Sequence, residues 1–380
     1  MKVLFISRST LFSSAGGDTV QIVKTAEYLR LAGFEVDIRL CTDTIDYAPY
    51  DLIHFFNIIR PADILQHIFE SGKPYVVSTI YVDYSEYETH ARTGLTSLLF
   101  KFFSSDQVEY LKVIARHWKN GEKIVSPRYL LWGHRRSIRY IIRHARCLLP
   151  NSHSEYRRLV AHYGLQQTYR AVPNAIDPSM FTVPADDHTR NTNLVLCVGR
   201  IEGRKNQLAL IRALRDTKYT LYIIGSGSPN QQEYYRQCLQ EAGGNVRFIE
   251  AIRQEELVAY YAAAKVHVLP SWFETTGLSS LEAAAMGCNI VITDKGDTRE
   301  YFGDLAWYCD PDSSSSILAA VEAAAAAECR EALVRKIRTD DTWEAAAAET
   351  AKAYRSLSLF DGGEKLSVKT DDKDQVEPRK

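Results

Sequence analysis

The stretch LPSWFETTGLSSLEAAAMGCNIVITDKGDTRE, residues 269–300, limits the possible folds more than any other part of the chain. Its apolar approach, residues 266–269, predicts a buried strand. A loop holding Glu274 follows. A helix is expected to open near Gly277 and to end at Gly287, a position suited to a left-handed C-cap. Residues 290–293 predict a second buried strand. The first N–H groups of such a helix have no internal partner, and its dipole adds partial positive charge there. Gly277 allows close backbone approach, so the amides of Leu278 and Ser279 can face an anion. Glu274 precedes the helix and Glu282 lies in its second turn, so the two can bracket a ligand with hydroxyls at both ends and phosphates between. A nucleotide sugar has that form. Spacing alone fits equally well an ordinary strand–loop–helix with two solvated glutamates.

The beginning of the chain alternates in the same way. Residues 3–7 predict a buried strand, residues 19–32 a helix ended by Gly33, and residues 35–40 the next strand. A strand–loop–helix–strand unit of this kind starts a doubly wound parallel sheet. Strands are expected at 52–56, 75–78, 147–150 and 169–172, with helices at 62–70 and after a cap at Ser152 or Ser154. His54, inside the apolar run DLIHFF, reads as a packed histidine. Gly16 and Gly17 can present amides to a phosphate or can make a plain turn. The loop lacks a full G-x-G-x-x-G, so a dinucleotide reading is weak.

A polar run at 184–193 reads as a linker. Beyond it, strands are expected at 194–198, 221–224, 246–249 and 306–308, with helices at 207–214, 255–264, 313–328 and 340–357. The loop GRIEGRKN carries Arg200 and Lys205. A diphosphate leaving group gathers negative charge as its bond to a sugar breaks. Two cations aimed at it stabilise the transition state more than the ground state. Arg200 can fork two oxygens, while Lys205 acts as a point charge. The alternative is a solvated basic loop.

At 380 residues the chain exceeds the usual single domain, and its net charge of −1 gives no sign of nucleic-acid binding. Seven cysteines without CxxC spacing suit a reducing compartment. No apolar run approaches the length of a membrane span or of a signal peptide, so the expected location is cytoplasmic, with peripheral attachment to the inner face of the cell membrane. Residues 95–147 depart from the neutral average. Eleven Lys and Arg, among them Lys101, Lys112, Arg128, Arg135 and Arg136, oppose only Asp106, Glu109 and Glu122, and they interleave with Phe100, Phe103, Trp118 and Trp132. Such a mixture suits an anionic membrane surface, a phosphorylated acceptor, or a helical pair with a solvated basic face.

Glu274-x7-Glu282 with Gly277-Leu278 between, together with VGRIEGRKN, IIGSGSP and PNAID, resembles the family-4 retaining glycosyltransferases. The resemblance implies an α/β fold of the GT-B type: two doubly wound, Rossmann-like domains facing a cleft, with a C-terminal helix crossing back to the first. Residues 1–173 would bind the acceptor, aided by the crossover helix at 340–359. Residues 174–339 would bind the nucleotide sugar; independently of the resemblance, the polar and charged composition of 361–380 predicts a disordered tail. The resemblance implies Glu274, Arg200, Lys205 and Asp83 as catalytic residues. The donor site would comprise Gly17, Asn174, Arg200, Lys205, Ser226, Ile252, Arg253, Thr276, Gly277, Leu278, Ser279 and Glu282. Where many members carry a histidine–aspartate pair, this chain has Tyr81 and Asp83 and no histidine. Asp83 is either an acceptor contact or a surface acid. No metal or other cofactor is expected. The implied reaction moves a sugar to a glycan or lipid-linked acceptor, in polysaccharide or lipopolysaccharide biosynthesis. A nucleotide-sugar 2-epimerase and a non-catalytic membrane-tethering module remain as alternatives.

Overall fold

The computed structural model describes residues 1–82, 104–120, 126–182 and 190–358. Five strands form the first sheet: β1 (Lys2–Ser7), β2 (Glu35–Leu40), β3 (Leu52–Phe56), β4 (Tyr75–Ser78) and β5 (Cys147–Leu148). All neighbours are parallel, in the order β2-β1-β3-β4-β5. Parallel strands need crossover connections, here supplied chiefly by helices. The helices of this half are α1 (Gly17–Leu31), α2 (Pro61–Ser71), α3 (Ser105–Asn120), α4 (Pro127–His144) and α5 (His153–Tyr163). The expected strand at 169–172 is reduced to one bridge, Tyr169 to Leu148, with Arg170 N donating to Leu148 O at 2.9 Å. β5 itself is only two residues long, so little ladder exists for a sixth strand to extend.

The second sheet has six parallel strands: β6 (Asn191–Val198), β7 (Thr220–Ile224), β8 (Val246–Ile249), β9 (Ala264–Leu269), β10 (Asn289–Thr293) and β11 (Trp307–Cys309). Their order is β11-β10-β9-β6-β7-β8. The helices are α6 (Gln207–Leu214), α7 (Gln232–Glu241), α8 (Gln254–Ala263), α9 (Leu278–Ala285), α10 (Thr298–Phe302), α11 (Ser314–Ala326) and α12 (Glu331–Thr339). β10 is wholly buried, with the apolar Ile290, Val291 and Ile292 at its centre, as a strand covered on both faces requires. Gly287 follows α9 at φ +88°, the left-handed cap expected from sequence.

The last helix, α13 (Trp343–Ser358), leaves the second sheet and packs on α1 of the first half. Trp343, Ala346, Ala347, Ala351 and Tyr354 join Val3, Phe5, Ile22 and Ala26 in one apolar cluster. Small alanines let the two helices approach, while the two aromatics fill the ends. Tyr354 O–H meets His54 Nδ1 at 2.6 Å, and His54 Nε2 meets Ser78 Oγ at 2.8 Å. His54 is therefore a packed histidine, with burial pushing its pKa down to about 3. Among the described residues no helix is long and apolar enough to cross a membrane.

Candidate active site

In open α/β sheets, ligands lie outside the carboxyl ends of the strands where the strand order reverses. In the second sheet that point falls between β6 and β9. β6 ends at Val198 and leads to Arg200, while β9 ends at Leu269 and leads to Glu274. The first sheet reverses between β1 and β3, and the loop after β1 carries Gly16 and Gly17. The two reversal points face each other. A Cβ on Gly16 would lie 2.7 Å from Arg200 Nη2, and one on Gly17 would lie 3.3 Å from Leu278 Cδ1. Glycine at position 16 thus leaves room for the guanidinium. Nearby, Asp18 is held below the usual carboxylate range: burial raises its pKa, but the Arg8 ion pair, the Thr19 amide and the charge of Arg200 outweigh it.

Lys205 and Glu274 meet across the β6–β9 gap, Nζ to Oε2 at 2.6 Å. Ser271 Oγ donates to the same carboxylate oxygen at 3.0 Å. Burial alone would raise the Glu274 pKa. The charge and hydrogen bond of Lys205, with help from Arg204 and Ser271, hold it below the ordinary value. Gly277 sits at φ +72° and opens α9, whose internal bonds begin with Ser280 N to Gly277 O at 2.8 Å. The amides of Leu278 and Ser279 thus precede the first internal bond of an eight-residue helix, and Ser279 Oγ ties that end to Val198 O at 2.9 Å.

Glu282 projects from the second turn of α9 and is buried. Gln254 Nε2 donates to its Oε1 at 2.5 Å and Tyr261 O–H to its Oε2 at 2.9 Å. Burial pushes its pKa up to about 7 against those two bonds. Asn174 Nδ2 donates to Thr276 Oγ1 at 3.1 Å, while Asn174 Oδ1 is buried with no protein partner. Ser226 lies on the neighbouring turn, where its carbonyl accepts Ile201 N at 3.0 Å and its hydroxyl meets Glu250. Ile252 packs against the second core. Arg253 is exposed and pairs with Glu256 at 3.3 Å, so its side chain is spent on the cap of α8.

The structure therefore brings Gly17, Arg200, Lys205, Glu274, Thr276, Gly277, Leu278 and Ser279 to the facing loops, with Asn174 and Glu282 at their edges. Asp83 lies outside the described residues. Tyr81 is buried, its hydroxyl 2.6 Å from His162 Nδ1. Sequence reasoning missed Gln254 and Tyr261, which hold both oxygens of Glu282. It also missed Asp297 and Glu300, which reach the first half. These two lay inside the opening stretch, but charged residues in a loop carry no periodicity that would mark their targets. Among the described residues, no group of three or more His, Cys, Asp or Glu side chains is placed to hold a metal ion.

Two facing doubly wound sheets joined by a crossover helix make this a GT-B fold. It is shared with the sucrose-phosphate synthase (tll1590) of Thermosynechococcus elongatus, at TM-score 0.68 and 18% identity over 94% of this chain and 99% of that one. It is also shared with Anabaena Alr3699/HepE, solved in complex with UDP-glucose, at TM-score 0.63 and 15% identity over 94% and 100%. Residues 184–339 match the model for glycosyl transferases group 1. It is 24% identical over 331 residues to the D-inositol 3-phosphate glycosyltransferase of Corynebacterium glutamicum (strain R), spanning 74% of this chain and 76% of the relative. A protein of the same name from Geodermatophilus obscurus is 33% identical over 183 residues, 42% of this chain. The match spans only 40% of that relative's length.

Proposed function

We propose that this glycosyltransferase takes a sugar from a nucleotide-sugar donor and transfers it, with retention, to a glycan or lipid-linked acceptor. The observation that carries the reading is the Lys205–Glu274 pair beside the amides that open α9, with Arg200 facing the Gly16–Gly17 loop. Donor phosphates would lie on the amides of Leu278 and Ser279, between Arg200 and Lys205. As the bond from the anomeric carbon to phosphate oxygen breaks, both cations stabilise the charge left on the diphosphate. The acceptor oxygen bonds to the same face of that carbon, and its proton passes to the departing phosphate. Cations and amides do this work without a metal. Glu274 would bind sugar hydroxyls and balance positive charge at the anomeric carbon, and Glu282 would accept from the ribose. Asn174, Thr276, Gly17, Ser226, Ile252 and the backbone at Arg253 would border the donor, and Asp83 would meet the acceptor. In this reading residues 1–173 hold the acceptor and 174–339 the donor.

Alr3699/HepE was solved with UDP-glucose, so uridine nucleotides are the first donors to test. A bound nucleotide at about 100 times its Kd adds about 2.7 kcal/mol of stability, which a thermal-shift screen detects. The deciding assay is mass spectrometry of donor and acceptor mixtures. A glycosidic product supports the reading. A changed nucleotide sugar formed without acceptor would make the protein an epimerase. Binding without any turnover would favour a tethering module.

Exposed residues on both sides of the kink of α4 at Gly133 support peripheral attachment to an anionic membrane, in cell-surface polysaccharide or lipopolysaccharide synthesis on the cytoplasmic side. Leu130 and Leu131 are exposed at 44% and 84% beside exposed Arg128, Arg135 and Arg136. Phe100, Phe103 and Lys101 lie outside the described residues. Vesicle flotation should increase with anionic lipid and decrease with salt, since exposed charges are screened. Leu131→Glu should weaken it. Binding indifferent to both variables would make this a packed or solvated face instead.

A further inference from the structure

The segment after β10 does two things at once. It brackets the backbone of Glu274, and it grips the other half of the molecule. Glu274 N donates to Lys295 O at 3.1 Å, and Asp297 N donates to Glu274 O at 3.0 Å. Gly296, at φ +101°, sits between them so tightly that a Cβ would overlap the Glu274 carbonyl. Asp297 then turns its carboxylate away from the second sheet and onto α5. Arg158 Nη2 reaches Asp297 Oδ2 at 2.8 Å, while Arg158 Nη1 and Ser154 Oγ both reach Oδ1. The Asp297 side chain is 1% exposed and that of Arg158 25%. The guanidinium also lies 4.9 Å from the ring of Phe273, the residue just before Glu274. Glu300 completes the grip, accepting from the His153 and Ser154 amides at 2.7 and 2.9 Å.

We propose that Arg158 and Asp297 are positioning residues for sugar transfer, holding the Glu274 loop in place only while the two halves are closed on each other. The proposal rests on the role given to Glu274 above. The geometry leaves a short path: the Asp297 carboxylate and one backbone hydrogen bond, Asp297 N to Glu274 O, separate Arg158, on the acceptor half, from the peptide of Glu274. The same turn of α5 also serves the acceptor edge. Glu155, fully buried, accepts from Tyr81 N at 2.8 Å and Asn151 N at 2.9 Å, and so fixes the backbone just beyond β4. Separating the halves strips Asp297 of all three donors and hands its carboxylate to water, so the ion pair no longer fixes the turn. Relaxing that carboxylate moves the segment that brackets Glu274.

Two measurements test this. Amide exchange needs no donor. Arg158→Ala should speed exchange in peptides covering 272–277 and 294–298, leaving β6 and β7 unchanged. Single-turnover transfer, with the nucleotide sugar identified by mass spectrometry, should slow roughly tenfold or more at saturating donor. Small misplacements of a reacting group have effects of that size. Donor KM should stay within about twofold, because the phosphate contacts are elsewhere, and Arg158→Lys should restore part of the rate by keeping the charge. Ser154→Ala, which removes one neutral donor and keeps the ion pair, should give the same pattern more weakly. It serves if Arg158→Ala does not fold. Unchanged exchange, or an unchanged rate at saturating donor, in the folded variant overturns the proposal. A Glu274→Gln protein with full transfer activity would instead refute the role of Glu274 and leave the exchange result standing.

Discussion

Lys205 Nζ lies 2.6 Å from Glu274 Oε2, although the two residues come from loops that follow different strands. The contact bridges the point where the order of the second sheet reverses. In the proposed reading it sets the cation assigned to phosphate against the carboxylate assigned to sugar. A donor bound as proposed would have its anomeric carbon near the seam between opposite charges, which is where its own charge separates as the bond breaks.

Removing Lys205 should therefore act in two ways. Lys205→Ala should lower kcat roughly ten- to a thousandfold, the scale of lost transition-state charge stabilisation. It should also move the acid limb of the pH–rate profile. Burial favours the neutral form of Glu274, and Lys205 is the main reason that its pKa lies below the ordinary value. Without the lysine that pKa rises, so activity is lost at a higher pH than in the parent. Profiles at saturating donor from about pH 5 to pH 8 would show both effects. Unchanged turnover would remove Lys205 from the mechanism.

The pH dependence of nucleotide binding should run through Glu282. Its pKa is pushed up to about 7 by burial, against hydrogen bonds from the neutral donors Gln254 and Tyr261. Above that value the carboxylate can still accept from ribose hydroxyls. Below it, one oxygen carries a proton and no longer accepts. With UDP as the first nucleotide tested, affinity should thus increase between about pH 6 and pH 8, as linkage requires when the ligand prefers the ionised form. Calorimetry should find this slope flattened in Glu282→Gln. A slope retained in that variant would assign it to another group.

The sequence reading carried far for reasons that differ by residue. Residues 207–214 were expected as a helix and form α6 with the same limits, because an apolar periodicity is bounded by a turn on each side. Arg200, Lys205 and Glu274 stand out in sequence because they follow predicted strands, where such sheets bind ligands, and Glu282 because it lies in the second turn of the helix after Gly277. Asp297 does not stand out. Its partners Ser154 and Arg158 lie more than a hundred residues upstream, and no local pattern encodes a contact between two separate sheets. The strand expected at 169–172 failed for a related reason, since β-branched and aromatic residues set a propensity but the length of the neighbouring strand decides whether a ladder forms.

Tyr354 should prove as important to the first half as a residue of its own sheet. Its hydroxyl is 2.6 Å from His54 Nδ1, three hundred positions away in sequence. Tyr354→Phe keeps the ring in the α13 cluster but leaves His54 Nδ1 buried without its partner, at about 1–3 kcal/mol. Tyr354→Ala opens a cavity as well and should cost about 3–5 kcal/mol. Thermal melts would rank the parent above Phe above Ala. Limited proteolysis should cut near α13 sooner in the alanine protein. A phenylalanine variant that melts with the parent would mean that His54 finds another donor.

The direction of the donor in the cleft gives the sharpest division between the two glutamates. Glu274 precedes α9, the amides of Leu278 and Ser279 open it, and Glu282 stands one turn further on. A ligand laid along these groups would run sugar, phosphates, ribose. Glu274→Ala should then slow transfer strongly and leave affinity for free UDP nearly intact, because UDP has no sugar beyond its phosphates. Loss of the carboxylate also frees Lys205 from its 2.6 Å pair, which if anything strengthens its hold on phosphate. Glu282→Ala should weaken UDP binding and slow transfer together, since it removes a contact present before and during the reaction. Calorimetry with UDP and single-turnover transfer, run side by side on the two proteins, would separate these outcomes. If Glu274→Ala lost UDP as severely as Glu282→Ala, the donor would have to lie in the cleft the other way round.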